Sequence, residues 1–453
     1  MIPSGWKCSA WFSVLLLGLA GCQSRQAPVG SVIFLHPDGT SSANWAVGRN
    51  LLVGPDGQLQ WDRLPVMAVY RGHMADSLTA TSNGGATTHA YGVKVYSDAY
   101  GTWGGPLASP ILDRNGASAS VARQAIAAGL PVGLVQSGTS TEPGTGCFVT
   151  SVPDRGMHEE IAAQLVASDA DVMLGGGEKY YLPAGTKGLY GPGVRKDGRN
   201  LIEEARQLGY TVVRTRQELM DVPADTEKLL GIFAEYHTFN DKPEEVLAEQ
   251  NLPLYWPEAP TVGEMTRVAL RVLEAKNKRF LLVIEEEGTD NFGNNNNAVG
   301  LLEAMRRADE AIGICRDYVE NNPRTLLLTA ADSDGGGMRL RGIKTGPGRD
   351  VPAKLPPTDR NGAPIDGVGG TGTAPFVAAP DRFGKRLPFA VTWASLSDVT
   401  GGVLIRAEGF NSRLVSEPGD NTQIAEIMRT TLFGPAAAGP AQTVPPPRKR
   451  PAE

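Results

Sequence analysis

The feature that most constrains this chain is a recurring unit: a short apolar run that ends in acidic residues, followed by a stretch with helical spacing. Residues 31–35 run into His36-Pro37-Asp38-Gly39. Residues 280–284 run into Glu285, Glu286 and Glu287, with Asp290 close behind, and residues 325–328 are followed by Asp332 and Asp334. Unbroken apolar runs of this length suit strands buried on both faces. Residues 132–135, 172–174 and 403–405 read as further strands. Helices are predicted over 118–130, from a Thr261-x-x-Glu264 capping box to about 276, over 296–319 and over 422–432. Such alternation predicts an α/β fold with a mostly parallel central sheet and helices on both faces. Ligands of such sheets sit at the carboxyl ends of the strands. The acids therefore converge on one rim, which repels itself unless protons or cations neutralise it, and a divalent-metal cluster is the economical solution.

The two ends read differently. In residues 1–21, Lys7 precedes an apolar run that leads to Leu19-Ala20-Gly21-Cys22. That run is too short to span a bilayer, and a Cys stands where a secretory cleavage site would have a small residue. The expectation is a lipoprotein signal peptide cleaved before Cys22, lipid on the Cys22 sulfur, a tether over 22–30 and a location in the cell envelope. Gln23 favours the outer membrane facing the periplasm. Residues 434–453, rich in Ala, Pro and Gly, are expected to be a disordered tail. That leaves 31–433 as one elaborated domain. The net charge of −6, with no basic stripe, gives no sign of a nucleic-acid partner. Cys147 and Cys315 remain for the mature chain, either as one disulfide or as two buried thiols.

A second segment carries nucleophile chemistry. Thr81-Ser82-Asn83-Gly84-Gly85-Ala86-Thr87-Thr88-His89-Ala90-Tyr91-Gly92-Val93-Lys94 places a serine at the start of a predicted helix. Backbone N–H groups there hold a phosphate or an oxyanion, although an isolated Ser at such a place is more commonly a helix cap.

The Ser82 segment resembles the nucleophile segment of the alkaline phosphatase family, with Ser82, Ala86, Thr87, Gly92, Val93 and Lys94 at the family spacing. Ser77, after Asp76, lies five residues too far from Gly92, and Thr81 replaces an Asp of the bacterial enzyme. Other segments agree in order. Pro37-Asp38-Gly39 resembles the loop whose Asp bridges two metals. The stretch 144–155 resembles the one that supplies a metal-ligand Thr, here Thr145, and a phosphate-binding Arg, here Arg155. Glu287-Gly288 resembles the Glu-Gly of a magnesium ligand, with Asp290 as the next metal's Asp, and Thr329-Ala330-Ala331-Asp332 resembles the Thr-Ala-Asp motif.

Departures from the family pattern concern its three histidine ligands. Their places are taken by Ser333, Asn294 and Val399, and none of the five histidines lies beyond position 237. His36 or His89 could compensate for the missing ligands through space, although a lone His near a motif is more often structural. The remaining donors, Asp38, Ser82, Thr145, Glu287, Asp290, Asn294, Asp332 and Ser333, are oxygens. They favour Mg, Ca or Mn, with Zn implied only by the resemblance.

The resemblance implies a metal-dependent hydrolase of small phosphate monoesters, with Ser82 as nucleophile and Arg155 as phosphate clamp. The alternatives are a phosphodiesterase of the same superfamily and a non-catalytic phosphate- or metal-binding lipoprotein. A homodimer is an expectation carried by the resemblance alone.

Overall fold

The computed structural model describes residues 28–447 except 106, 107 and 418. The expected signal peptide over 1–21, Cys22 and residues 448–453 lie outside the described residues.

Ten strands form one large sheet. Its order is Gly419–Asp420, Val66–Arg71, Leu404–Gly409, Thr325–Thr329, Ser31–Pro37, Leu281–Glu286, Val132–Thr139, Val172–Gly176, Leu229–Ile232 and Thr211–Val213. The seven strands from Thr325–Thr329 to Thr211–Val213 are mutually parallel. Leu404–Gly409 runs antiparallel to both its neighbours. The predicted mostly parallel sheet is therefore present, with one antiparallel strand near its edge. The central strand Leu281–Glu286 is buried at every position, which is why its sequence shows no alternation.

Alternate residues feed two cores. Val32 and Phe34 pack on one face with the helices Ser82–Tyr91 and Gln423–Phe433. Ile33 and Leu35 pack on the other with Val262–Ala275 and Ala298–Asn321. The Thr261–Glu264 capping box is formed as predicted. The helix predicted over 118–130 is shorter, Val121–Ala127, because Ser120 caps it and Gly129 turns the chain out of it with a positive φ. Cys147 and Cys315 are free thiols in the two different cores. The sheet separates them.

Two regions differ from the sequence expectation. Residues between 339 and 392 form a second antiparallel sheet, in which Pro388–Thr392 pairs with Arg339–Gly342, Ile365–Gly367 and Phe376–Val377. The start of the expected tail, through Pro447, is held on the body: Ala441 N–H donates to Leu112 O at 2.8 Å, Gln124 to Ala438 O at 3.0 Å and Tyr96 OH to Pro446 O at 3.0 Å. Proline removes a donor but leaves every carbonyl free to accept, and two of these three bonds are to tail carbonyls. Among the described residues no helix is long and apolar enough to cross a membrane.

Candidate metal and phosphate site

Four adjacent parallel strands deliver the site at their carboxyl ends. Asp38 follows Ser31–Pro37, Asp332 follows Thr325–Thr329, Glu285 is the penultimate residue of Leu281–Glu286 with Glu287 and Asp290 after it, and Thr145 follows Val132–Thr139. Of the acids predicted to share one rim, Asp38, Glu285, Glu287, Asp332 and Asp290 are brought together there and are buried, at 0%, 0%, 2%, 3% and 6% exposure; Glu286 and Asp334 are engaged elsewhere. Carboxylate oxygens of Asp38, Glu287 and Asp290 lie within 4.8 Å of one another.

Ser82 is the first residue of the helix Ser82–Tyr91. The capping oxygen is that of Thr81, which accepts from Gly84 N–H at 3.2 Å, so Ser82 is not spent as the cap. Gly85 brings this helix start against the rim: a Cβ on it would stand 2.5 Å from Asp332 Cβ. Only glycine permits that approach.

Thr145 lies in the short helix Pro143–Gly146, and a Cβ on Gly144 would stand 1.9 Å from Glu285 Oε1. Arg155, 44% exposed, donates to Glu142 Oε2 at 2.9 Å. The Arg155 charge is opposed by burial and upheld by Glu142, Glu287 and Asp38 in turn, which places the guanidinium at the edge of the acidic rim.

The rim's electrostatics show groups awaiting neutralisation. Burial first, then the facing Asp38 carboxylate, holds Asp332 well above the usual carboxylate range. Burial followed by Glu142 and Glu285 does the same to Glu287, and burial followed by Asp398 does so to Asp290. Burial opposes charge on His36 and Asp38, yet their mutual contact outweighs it: His36 is raised to about 10 and Asp38 is lowered. Asp38 Oδ2, Glu285 Oε1, Glu287 Oε2, both Asp332 oxygens and Ser333 Oγ are buried without a hydrogen-bond partner. Six orphaned oxygens in one place are costly in an apolar interior. A hard divalent cation is the group they fit.

Strand alternation sorts three consecutive acids. Glu285 points to the face that carries the Ser82 helix, where Gln136 Nε2 donates to it. Glu286 points to the opposite face and accepts from Ser137 Oγ and Tyr255 OH, each at 2.8 Å. Glu287 leads the helix Gly288–Asn294. Glu285 is thus a rim carboxylate that the Glu-Gly match passed over.

Asn294 reaches the site differently from the expectation of an oxygen ligand. Its Oδ1 accepts Gly336 N–H at 2.9 Å, which turns its amino group toward Asp290 and Asp398. Asn294 is a donor that bridges two carboxylates. Asp398, the residue before Val399, was not singled out in the sequence. It brings a carboxylate beside Asp290, near the place where the family resemblance had led to Val399. Asp334 Oδ2 accepts from Arg339 at 2.9 Å, while its Oδ1 is buried without a hydrogen-bond partner.

With this geometry in hand, a sequence profile described as alkaline phosphatase matches residues 30–365. The chain belongs to the alkaline phosphatase family. It is 26% identical over 359 residues to a membrane-bound alkaline phosphatase of Bombyx mori, covering 69% of this chain and 61% of that protein. It is 29% identical over 287 residues to a repressible alkaline phosphatase of Saccharomyces cerevisiae, covering 59% and 47%. The chain thus spans less than two thirds of the length of these two relatives. The solved alkaline phosphatase of Thermus thermophilus superposes with a TM-score of 0.68 at 22% identity, covering 94% of this chain and 97% of that one. Within this alkaline phosphatase fold, the orphaned carboxylates lie at the rim where open α/β sheets bind ligands.

Proposed function

We propose that this alkaline phosphatase family member is a metal-dependent phosphomonoesterase of the cell envelope, tethered through lipid on Cys22, and that it acts through a phosphoserine at Ser82. One observation carries the reading. Ser82 opens a helix whose cap is supplied by Thr81, and that helix start is pressed against Asp332 on a rim of orphaned carboxylate oxygens.

Asp38, Glu287, Asp290, Asp332, Thr145 and Ser333 are the residues that would hold divalent cations; Glu285 joins them by position. When bound, such cations neutralise the rim and lower the pKa of a neighbouring hydroxyl. The protein's own groups then do the following. The helix start presents Ser82 Oγ and backbone N–H groups to the phosphoryl group. Arg155 meets the phosphate oxygens from the solvent side as a fork of donors, and Glu142 holds that fork in place. Ser82 Oγ bonds to phosphorus as the alcohol leaves, and water then displaces the serine to release inorganic phosphate. A monoester suits a site that retains both Ser82 and Arg155, because its extra negative charge calls for a cationic partner.

The test is phosphate release from an aryl phosphate by the wild-type chain and by Ser82→Ala, with each of Mg, Mn, Ca and Zn added to chelator-treated protein. Loss of turnover in Ser82→Ala is expected. Equal rates would refute the assignment. Faster turnover of a diester than of a monoester would mark a phosphodiesterase, and cation-dependent phosphate binding without turnover would mark a binding protein.

A further inference from the structure

We propose that His36, Asp38 and Glu285 together form a cation site with a nitrogen ligand, so that the rim is not built from oxygen donors alone. His36 is 1% exposed, and the tautomer of its ring is set by its partners. Nδ1 stands 2.8 Å from Ala330 O, a carbonyl that only accepts, so Nδ1 carries a hydrogen. In the neutral ring, Nε2 then presents a lone pair. It faces Asp38 Oδ1 at 3.0 Å and Glu285 Oε1 at 3.9 Å, two atoms that donate nothing when ionised. Either a proton on Nε2 or a cation must lie between these atoms, and the carboxylate oxygens left without a partner beside them favour the cation.

Two further observations point to a ligand. Glu285 Oε1 and Asp38 Oδ2 are buried and have no hydrogen-bond partner. The imidazole nitrogen and one oxygen from each carboxylate all lie within 4.8 Å of one another. The surroundings keep the donors aimed. The Ala330 carbonyl orients the ring as outer-shell acceptors do for metal-bound histidines. His89 packs edge-on against it with centroids 5.3 Å apart, and Gln136 holds the second oxygen of Glu285. A set of one imidazole and two carboxylates favours Zn, Mn, Co or Fe over Mg and Ca. The inference uses the same rim as the proposed phosphatase reaction, but it does not depend on turnover.

The experiment uses the full chain, stripped with chelator and reloaded with Co(II) or Zn(II). The readouts are bound metal per chain, affinity by calorimetry and nitrogen coupling to Co(II) by pulsed electron paramagnetic resonance. The wild type is expected to show imidazole nitrogen in the cobalt signal. His36→Gln should lose that signal and weaken binding by on the order of 100-fold. Glu285→Gln should weaken binding similarly, and His89→Gln should leave the nitrogen signal in place. Absence of nitrogen coupling in the wild type overturns the inference without recourse to any variant that fails to fold. So does unchanged affinity in His36→Gln, which would make His36 a protonated partner of Asp38. Phosphate release measured on the same samples separates the two readings: hydrolysis without nitrogen coordination refutes this site alone, and nitrogen coordination without hydrolysis refutes the proposed activity alone.

Discussion

Asn294 stands between Asp290 and Asp398, with its amide nitrogen 3.0 Å from both oxygens of the first and 3.0 Å from one oxygen of the second. Its own oxygen is committed to Gly336 N–H at 2.9 Å. A neutral side chain thus lowers the repulsion of two carboxylates without acting as a ligand. Asn294→Ala removes every one of these bonds and leaves Asp290 buried with a close negative neighbour. The chelator-treated variant should be less stable by about 1–3 kcal/mol, given the cost of leaving buried polar oxygens without a donor. Added divalent cation should recover part of that loss. Thermal unfolding with and without cation reads both effects, and a variant as stable as wild type in chelator would contradict the role.

Arg155 is the one cationic side chain assigned to the substrate, and it is tied to the buried Glu142. Arg155→Ala should lower kcat/KM for a monoester by about 100-fold, the scale of losing one charge-stabilising donor. Arg155→Lys keeps the charge but loses the planar fork, so it should recover only part of the activity. Steady-state kinetics on one monoester and one diester provide the check, and the diester should be affected less.

Legibility in the sequence followed the physics of each element. Strands buried on both faces left unbroken apolar runs, so the core of the sheet and the acids at its rim could be read directly. Ser82 was separated from Ser77 by its distance to Gly92, and the structure places Ser82 at the helix start. Glu285 was read as a strand-end acid but left out of the ligand set, because a Glu-Gly pair drew attention to Glu287. The parity of Glu285 with Leu281 and Val283 was the available signal, since alternate strand residues share a face. Asp398 sits in a loop without periodicity, so only the folded chain brings it to Asp290. The sheet between 339 and 392 is made of strands of two to five residues in a stretch rich in Gly and Pro. Its pairing comes from tertiary contacts that no local pattern records. Asn294 shows a different limit: the family resemblance led to an oxygen-bearing side chain, but Gly336 decides which end of the amide faces the site.

Cation binding should be strongly linked to protons. Burial and neighbouring carboxylates hold Asp332, Asp290 and Glu287 well above the usual carboxylate range when no metal is bound. These groups keep protons into the range where free carboxyls have lost them, and a cation must displace those protons to bind. Affinity should therefore fall as pH is lowered, with protons released on binding. Calorimetric titration in buffers of different ionisation enthalpy measures the number released. A value of zero would mean that the rim is already ionised in the absence of metal.

Glu244, far from Ser82 in the chain, gives a pH-dependent stability that can be tested apart from the metal site. It begins the helix Glu244–Glu249 and accepts from Val299 N–H at 3.2 Å. Burial first, then the Asp366 carboxylate, raises its pKa from an ordinary 4.5 to about 8. Between those values the unfolded chain has released this proton while the folded chain still holds it, so folding takes up a proton. The stability from this group is fully present below pH 4.5 and is lost as pH rises through about 8. Glu244→Gln keeps an acceptor for Val299 and removes the titration. The variant should match wild type at low pH and exceed it above pH 8 by on the order of 2 kcal/mol. Denaturant unfolding at pH 5, 7 and 9 decides the matter: parallel wild-type and variant stabilities across that range would show that Glu244 is ionised in the fold.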